Sequence, residues 1–158
     1  MKRFTANCLP VLLLASVLCI FIQPAAAKNK KPKSFTPKAA ARQVAKRVNR
    51  IRKQNGLRTL RYDPRLGQAA LLHSTDMKKH EFFGHNSPVK GHRTFFIRAK
   101  RFKTTASAEN IAKGPKSPGG VVAMWMKSKG HRKVMLNPKH RRIGVGKCGN
   151  RWTQLFGR

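Results

Sequence analysis

Between Pro37 and Asn55 the only apolar residues that recur regularly are Ala41, Val44, Val48 and Ile51, at steps of three and four. Arg42, Lys46, Arg47, Arg50, Arg52 and Lys53 fill most of the remaining positions. A strand would scatter these two sets over both of its faces. A helix gathers the apolar set into one stripe, which must then be buried against something else. The segment is therefore read as an amphipathic helix that ends at Asn55-Gly56, where glycine supplies a stop. Leu57, Leu60 and Tyr62 follow as a short extended link that packs inward.

The same reading continues along the chain. Asp63-Pro64 opens a second helix, with Asp as the N-cap and Pro at the first helical position. Leu66, Ala69, Ala70, His73 and Met77 follow at helical spacing, and this helix ends before Gly84. A loop carries His85-Asn86-Ser87-Pro88, and a short helix is expected from Thr94 to Arg101. Ser117-Pro118 caps a third major helix with Val121, Val122 and Trp125 inside, interrupted at Gly130. Two strands close the chain, Ile143 to Lys147 and Trp152 to Phe156, around the turn Cys148-Gly149-Asn150. There is no internal repeat.

Charge bounds the partners. The 158 residues carry 36 Lys and Arg against 4 Asp and Glu, a formal +32. Such a field attracts polyanions, so nucleic acid, anionic lipid headgroups and acidic envelope polymers are all candidates. No groove-reading motif is present, so nucleic-acid binding would be nonspecific. Repulsion between copies favours a monomer. The four acids are Asp63, Asp76, Glu81 and Glu109. Asp63 is accounted for as a cap, and Asp76 is expected on the helix surface beside a cation.

The first residues read as an export signal. Lys2 and Arg3 precede an apolar run from Leu9 to Ile22, shorter than the ~20 residues of a membrane span. Ala25-Ala26-Ala27 then offers a cleavage site, so the expected organisation is a signal at 1–27, a basic Lys/Pro linker at 28–38 and one domain at 39–158. Location is expected to be periplasmic or extracellular, with no transmembrane segment in the mature chain. Cys8 and Cys19 leave with the signal, and Cys148 is then the single thiol, read as a buried small hydrophobe or as a pairing site between chains.

Some motifs mislead. His80-Glu81-Phe82-Phe83-Gly84-His85 resembles a zinc-protease motif, but its histidines are five apart and would point about 140° from each other on a helix. Gly114-Pro115-Lys116-Ser117 lacks the spacing of a phosphate loop. No Gly-x-Ser-x-Gly elbow exists. His73 is read as a core or border residue, His80, His92 and His140 as surface groups, and Trp125 and Trp152 as core.

Six segments in order carry a family resemblance. They are Asn49 to Leu60, Tyr62-Asp63-Pro64-Arg65-Leu66, Phe83-Gly84-His85-Asn86-Ser87-Pro88 and Ala108-Glu109-Asn110-Ile111-Ala112. Trp125 to Arg132 with Leu136-Asn137-Pro138 is the fifth. The closing strands, Ile143 to Gly146 and Trp152 to Gly157, are the sixth. Together they resemble bacterial CAP domains (the SCP/PR-1-like superfamily) over roughly residues 40–157. The resemblance implies an α+β fold, a three-layer α-β-α sandwich around a small, mostly antiparallel sheet. It implies a cleft where histidines and glutamates meet, with His85 and Glu109 at cleft positions and His131 matching the bacterial form. Asn86, Asn110, Ser128, Arg132 and Arg151 are further candidate binding positions. Two departures stand out. Ser128 occupies the place of a second glutamate, and Arg151 that of a second histidine.

Two histidines and one glutamate suit zinc with a vacant position for water, and such water could attack an ester, amide or phosphodiester. Equally, Glu109 could accept hydrogen bonds from the imidazoles and fix the loops. The resemblance further implies a binding module for sterol, fatty-acid or other lipid ligands, or for envelope and host polymers. Plain polyanion adhesion on an inert scaffold is a third option.

Overall fold

A computed structural model describes residues 36–158. The signal at 1–27, the first part of the linker, Cys8 and Cys19 lie outside the described residues. The elements run α1 (Pro37–Gln54), β1 (Arg61–Tyr62), α2 (Pro64–Lys79), α3 (Phe95–Arg101), β2 (Ala108–Lys113), α4 (Pro118–Lys127), α5 (Lys129–Met135), β3 (Arg142–Cys148) and β4 (Arg151–Gly157).

Local chemistry explains the helix starts. Thr36, Asp63, Thr94 and Ser117 each place a side-chain oxygen on a backbone N–H of the first turn, satisfying donors that have no partner inside the helix. Asp63 does more. Its Oδ1 accepts from Arg65 N at 2.9 Å, while its Oδ2 accepts from Arg142 Nη1 at 2.6 Å. The start of α2 is thereby tied to β3. Asn49 steers the chain out of α1 by pairing with both backbone groups of Leu60, at 2.9 and 2.8 Å.

The sheet has the order β1-β3-β4-β2. Only the two-residue β1 pairs in parallel, with β3, and the other pairings are antiparallel. On one face, α1 and α4 cover Ile143, Val145, Trp152 and Phe156, with Trp125 at the centre. On the other, α2 and α3 cover Leu155 with Leu66, Ala69, Ala70 and Ala99. This is the expected three-layer α+β sandwich, and both tryptophans are fully buried in it.

In β3 the alternation Ile143-Gly144-Val145-Gly146 sorts the layers. Ile143 and Val145 face α1. A Cβ at Gly144 would overlap the backbone of Leu66 and Gly67, and one at Gly146 the backbone of Ala70 and Leu71. So α2 lies on the sheet at backbone contact, a spacing that only glycine permits.

Several expectations need correction. Ala108–Lys113 is a strand, where the sequence reading assigned no element. The break after α4 falls at Ser128, in an extended conformation, and Gly130 lies inside α5. There the Ser128 hydroxyl accepts from His131 N, so a capping side chain rather than a flexible glycine makes the break. Asp76 is buried, not on the helix surface. His140 is 3% exposed and stacks on Phe156 at 4.7 Å. His92 is half-buried against Asp76. Cys148 is free and half-buried at the end of β3, not buried.

Candidate functional site at Glu109

Glu109 sits on β2, an edge strand, and is 7% exposed. A buried carboxylate in a chain so rich in cations needs compensation, and the structure supplies it twice. Oε2 accepts from Arg98 Nη2 at 2.6 Å, and Oε1 accepts from His85 Nδ1 at 2.9 Å. His73 Nε2 lies 4.0 Å from Oε1 and donates instead to the Gly84 carbonyl at 2.9 Å.

Arg98 organises the loop that carries His85. Its guanidinium is fully buried on α3. Nη1 donates to the carbonyls of His92 and Arg93 at 2.7 and 3.1 Å, and Nη2 reaches the His85 carbonyl at 3.2 Å. Both ends of the histidine loop thus hang on one side chain. Asp76 closes the loop from α2, its Oδ2 accepting from His92 Nδ1 at 2.9 Å and from Ser87 Oγ at 3.0 Å. The Ser87 N–H then donates to the Arg93 carbonyl at 2.9 Å.

The electrostatics follow. The hydrogen bond to Glu109 raises the His85 pKa above its ordinary value, more than burial lowers it. Its side chain is 56% exposed, so it is the member of the cluster that meets solvent. Burial pushes His73 down to about 4, despite the pull of Glu109. It is neutral at pH 7 and holds its proton on Nε2 toward Gly84. His131 is lowered by burial and then by the charge of His85.

Of the residues expected at the cleft, His85 and Glu109 come into direct contact. His131 stands on α5, where its carbonyl accepts from Asn110 Nδ2 at 3.2 Å. Asn110 is buried on the opposite face of β2 from Glu109 and also reaches Gln154 Oε1 at 3.1 Å. Ser128 caps α5. Asn86 and Arg132 are exposed. Arg151 is not part of the cluster. It pairs with Lys113 while Glu109 pairs with Leu155, four residues along the same ladder, or about 13 Å away. It bonds Asn150 Oδ1 at 2.7 Å.

The set His85, Glu109 and His131 does not fit zinc as three direct ligands. Both Glu109 oxygens already accept from nitrogen donors, and among the described residues no group of three His, Cys, Asp or Glu is placed to hold a metal ion. What the arrangement can do is orient one exposed imidazole. Nδ1 of His85 is committed to a carboxylate, and Nε2 makes no hydrogen bond to the described residues.

Sequence reasoning missed Arg98, and it treated Asp76 and His92 as surface groups. A signal existed for the first. With four acids in the chain, a buried Glu109 needed a buried cation, and the short helix between the histidine loop and β2 offers Arg98, Lys100 and Arg101. Away from this cluster, a cavity of about 480 Å³ opens between α1 and α2 over β3. Ala41, Tyr62, Leu71 and Val145 line it, and Lys38 and Arg42 also border it.

Among curated proteins, the chain is 37% identical over 138 residues to the YkwD protein of Bacillus subtilis (strain 168), a match covering 84% of this chain and 54% of that protein. It is 31% identical over 135 residues to the membrane protein YlbC of the same organism, covering 85% of this chain and 39% of YlbC. It therefore spans about half or less of the length of the curated relatives it matches. Among solved structures, it is similar to an extracellular protein containing an SCP domain from Bacillus anthracis str. Ames. That match has a TM-score of 0.71 and 31% identity, over 80% of this chain and 45% of the other. An outer surface protein of Borrelia burgdorferi shares the fold, with TM-score 0.69 and 19% identity over 80% of this chain and 97% of that one. The family model described as CAP, cysteine-rich secretory protein family, matches residues 45–156, and the chain belongs to that family.

Proposed function

We propose that this is an exported CAP-domain binding module that takes anionic partners, either lipids or acidic polymers of the envelope or extracellular space. One observation carries the reading. Three of the four acids are spent inside the fold, Asp63 on Arg142, Asp76 on His92 and Glu109 on Arg98 and His85. Glu81 is the exposed acid. The remaining Lys and Arg side chains of the described residues have no internal counter-charge, so the positive field is turned outward. A surface of this kind gains free energy by releasing counterions from a polyanion. The extracellular and outer-surface relatives support export, as does the apolar run after Lys2 and Arg3. No helix of the described residues is long and apolar enough to cross a membrane.

A metal-assisted hydrolase at His85, Glu109 and His131 has less support, because Glu109 is already engaged by Arg98 and His85.

The test is binding of the mature protein to polyphosphate and to phosphatidylglycerol vesicles over a range of salt. Affinity should fall steeply as salt rises, and His85→Ala should leave it unchanged. Binding that is absent at low salt, or indifferent to salt, overturns the reading. Binding that collapses in His85→Ala with native stability moves the partner into the cleft.

A further inference from the structure

Between Glu81 and Glu109 the chain has no acid, and this stretch carries the histidine loop and α3. Its surface has an unusual makeup. On α3, Arg98 and Ala99 point inward and are fully buried, while Phe96 and Ile97 are 59% and 43% exposed. Lys100 and Arg101 are also exposed. Positions 96, 97, 100 and 101 lie on one side of a helix, at steps of one, four and five. Each apolar side chain is thus followed four residues later by a cation. On the loop, Phe83 is 49% exposed, two residues before the His85 carbonyl that Arg98 holds. Three of the five exposed large hydrophobics of the described residues belong to this stretch. Lys90, Arg93 and Lys103, which are exposed, add to its positive charge.

Large apolar side chains left in water, with cations around them and one exposed acid, Glu81, two residues before Phe83, need a partner that is apolar and anionic at once. We propose that the outward face of α3, with Phe83 beside it, docks on the surface of an anionic phospholipid bilayer. The ring of Phe96 and the branched chain of Ile97 enter the boundary between headgroups and acyl chains. Lys100 and Arg101 lie against the phosphates. An aliphatic and an aromatic residue side by side suit acyl chains better than nucleobases, which stack on aromatic rings. Such docking sets the half-exposed His85 close to the membrane surface. The inference rests on the anionic-partner reading above and names the face and the partner.

The experiment is flotation of the full mature chain with phosphatidylcholine–phosphatidylglycerol vesicles, with polyphosphate and single-stranded DNA as soluble probes. The pairs Phe96→Ser with Ile97→Ser, and Lys100→Gln with Arg101→Gln, alter exposed positions only. Unchanged circular dichroism and melting confirm that each variant is folded. A third pair, Lys46→Gln with Arg50→Gln, removes the same charge from the exposed face of α1. Both α3 pairs should weaken vesicle binding by about tenfold or more, and the α1 pair by less than about threefold. Equal losses from the two cationic pairs, with none from Phe96 and Ile97, overturn the docking face and leave the general field as the binder. Retention on polyphosphate without vesicle binding does the same. Loss of DNA binding with vesicle binding intact in the Phe96/Ile97 pair assigns the face to nucleic acid and overturns the membrane. Failure to bind any of the three probes overturns both this inference and the reading beneath it.

Discussion

Titrating the domain from about pH 7 to about pH 4 asks two buried imidazoles to accept protons. His73 and His140 are 0% and 3% exposed. Burial lowers each from 6.5 to about 4, with Arg98 adding to the effect at His73, and Arg52 and Arg158 at His140. The unfolded chain binds these protons near pH 6.5, and the folded chain resists until about pH 4. Stability is therefore complete above the unfolded value and is lost as pH falls through that window. At about pH 4 each unfolded ring is fully protonated and each folded ring about half protonated. The difference is about 3 kcal/mol per histidine, or about 6 for the two. A domain of this size has about 5–15 kcal/mol in all. Urea unfolding followed by tryptophan fluorescence reads this well, because Trp125 and Trp152 are both fully buried. The variant His140→Phe keeps an aromatic ring against Phe156 and cannot titrate, so it should recover about half of the acid loss. A parent whose unfolding free energy changes by less than about 1 kcal/mol across the window refutes the reasoning, and so does a His140→Phe profile identical to the parent's.

Three more outcomes are expected. Arg98→Met removes the partner of a buried carboxylate and the donor to three carbonyls, and should cost about 3–5 kcal/mol in urea melts, with Arg98→Lys restoring only part. Glu109→Gln replaces the carboxylate that raises His85 with a neutral amide, so the His85 titration midpoint in NMR should fall toward its ordinary value; an unmoved midpoint would show that another group sets it. Asn49→Ala leaves both backbone groups of Leu60 unpaired beside the core and should cost about 2 kcal/mol by thermal or urea unfolding.

The starts of α1 to α4 were legible because capping is local. A Ser, Thr or Asp and its proline partner lie within a few residues of the N–H they serve. The closing hairpin was legible for the same reason, as was the stripe of α1. The contact of His85 with Glu109 came through the family resemblance. Arg98 left a single mark, the need of a buried Glu109 for a cation, because its other partners are backbone carbonyls, which leave no mark on residue identity. Asp76 and His92 were misread because sixteen residues and a loop separate them, and a helix period cannot say which polar position the loop will cover. The basic neighbours of His140 point to a surface group, yet Arg141 and Lys139 turn outward while its ring stacks on Phe156. The strand at Ala108–Lys113 escaped because Glu109 and Asn110 break the apolar alternation. They do so because one serves the loop cluster and the other binds α5 and β4.

The two glycines of β3 act as a datum for everything that hangs on α2. Backbone in contact with backbone leaves the helix little freedom to slide or roll, since any shift would open a gap on one side and a clash on the other. His73 and Asp76 stand on the turns that follow that contact. Their positions, and through them those of Gly84, Ser87 and His92, are thus inherited from a place in the sheet that has no side chain at all. An added methyl group at Gly146 would be felt first as a misplaced loop around His85, before it was felt as a weaker core.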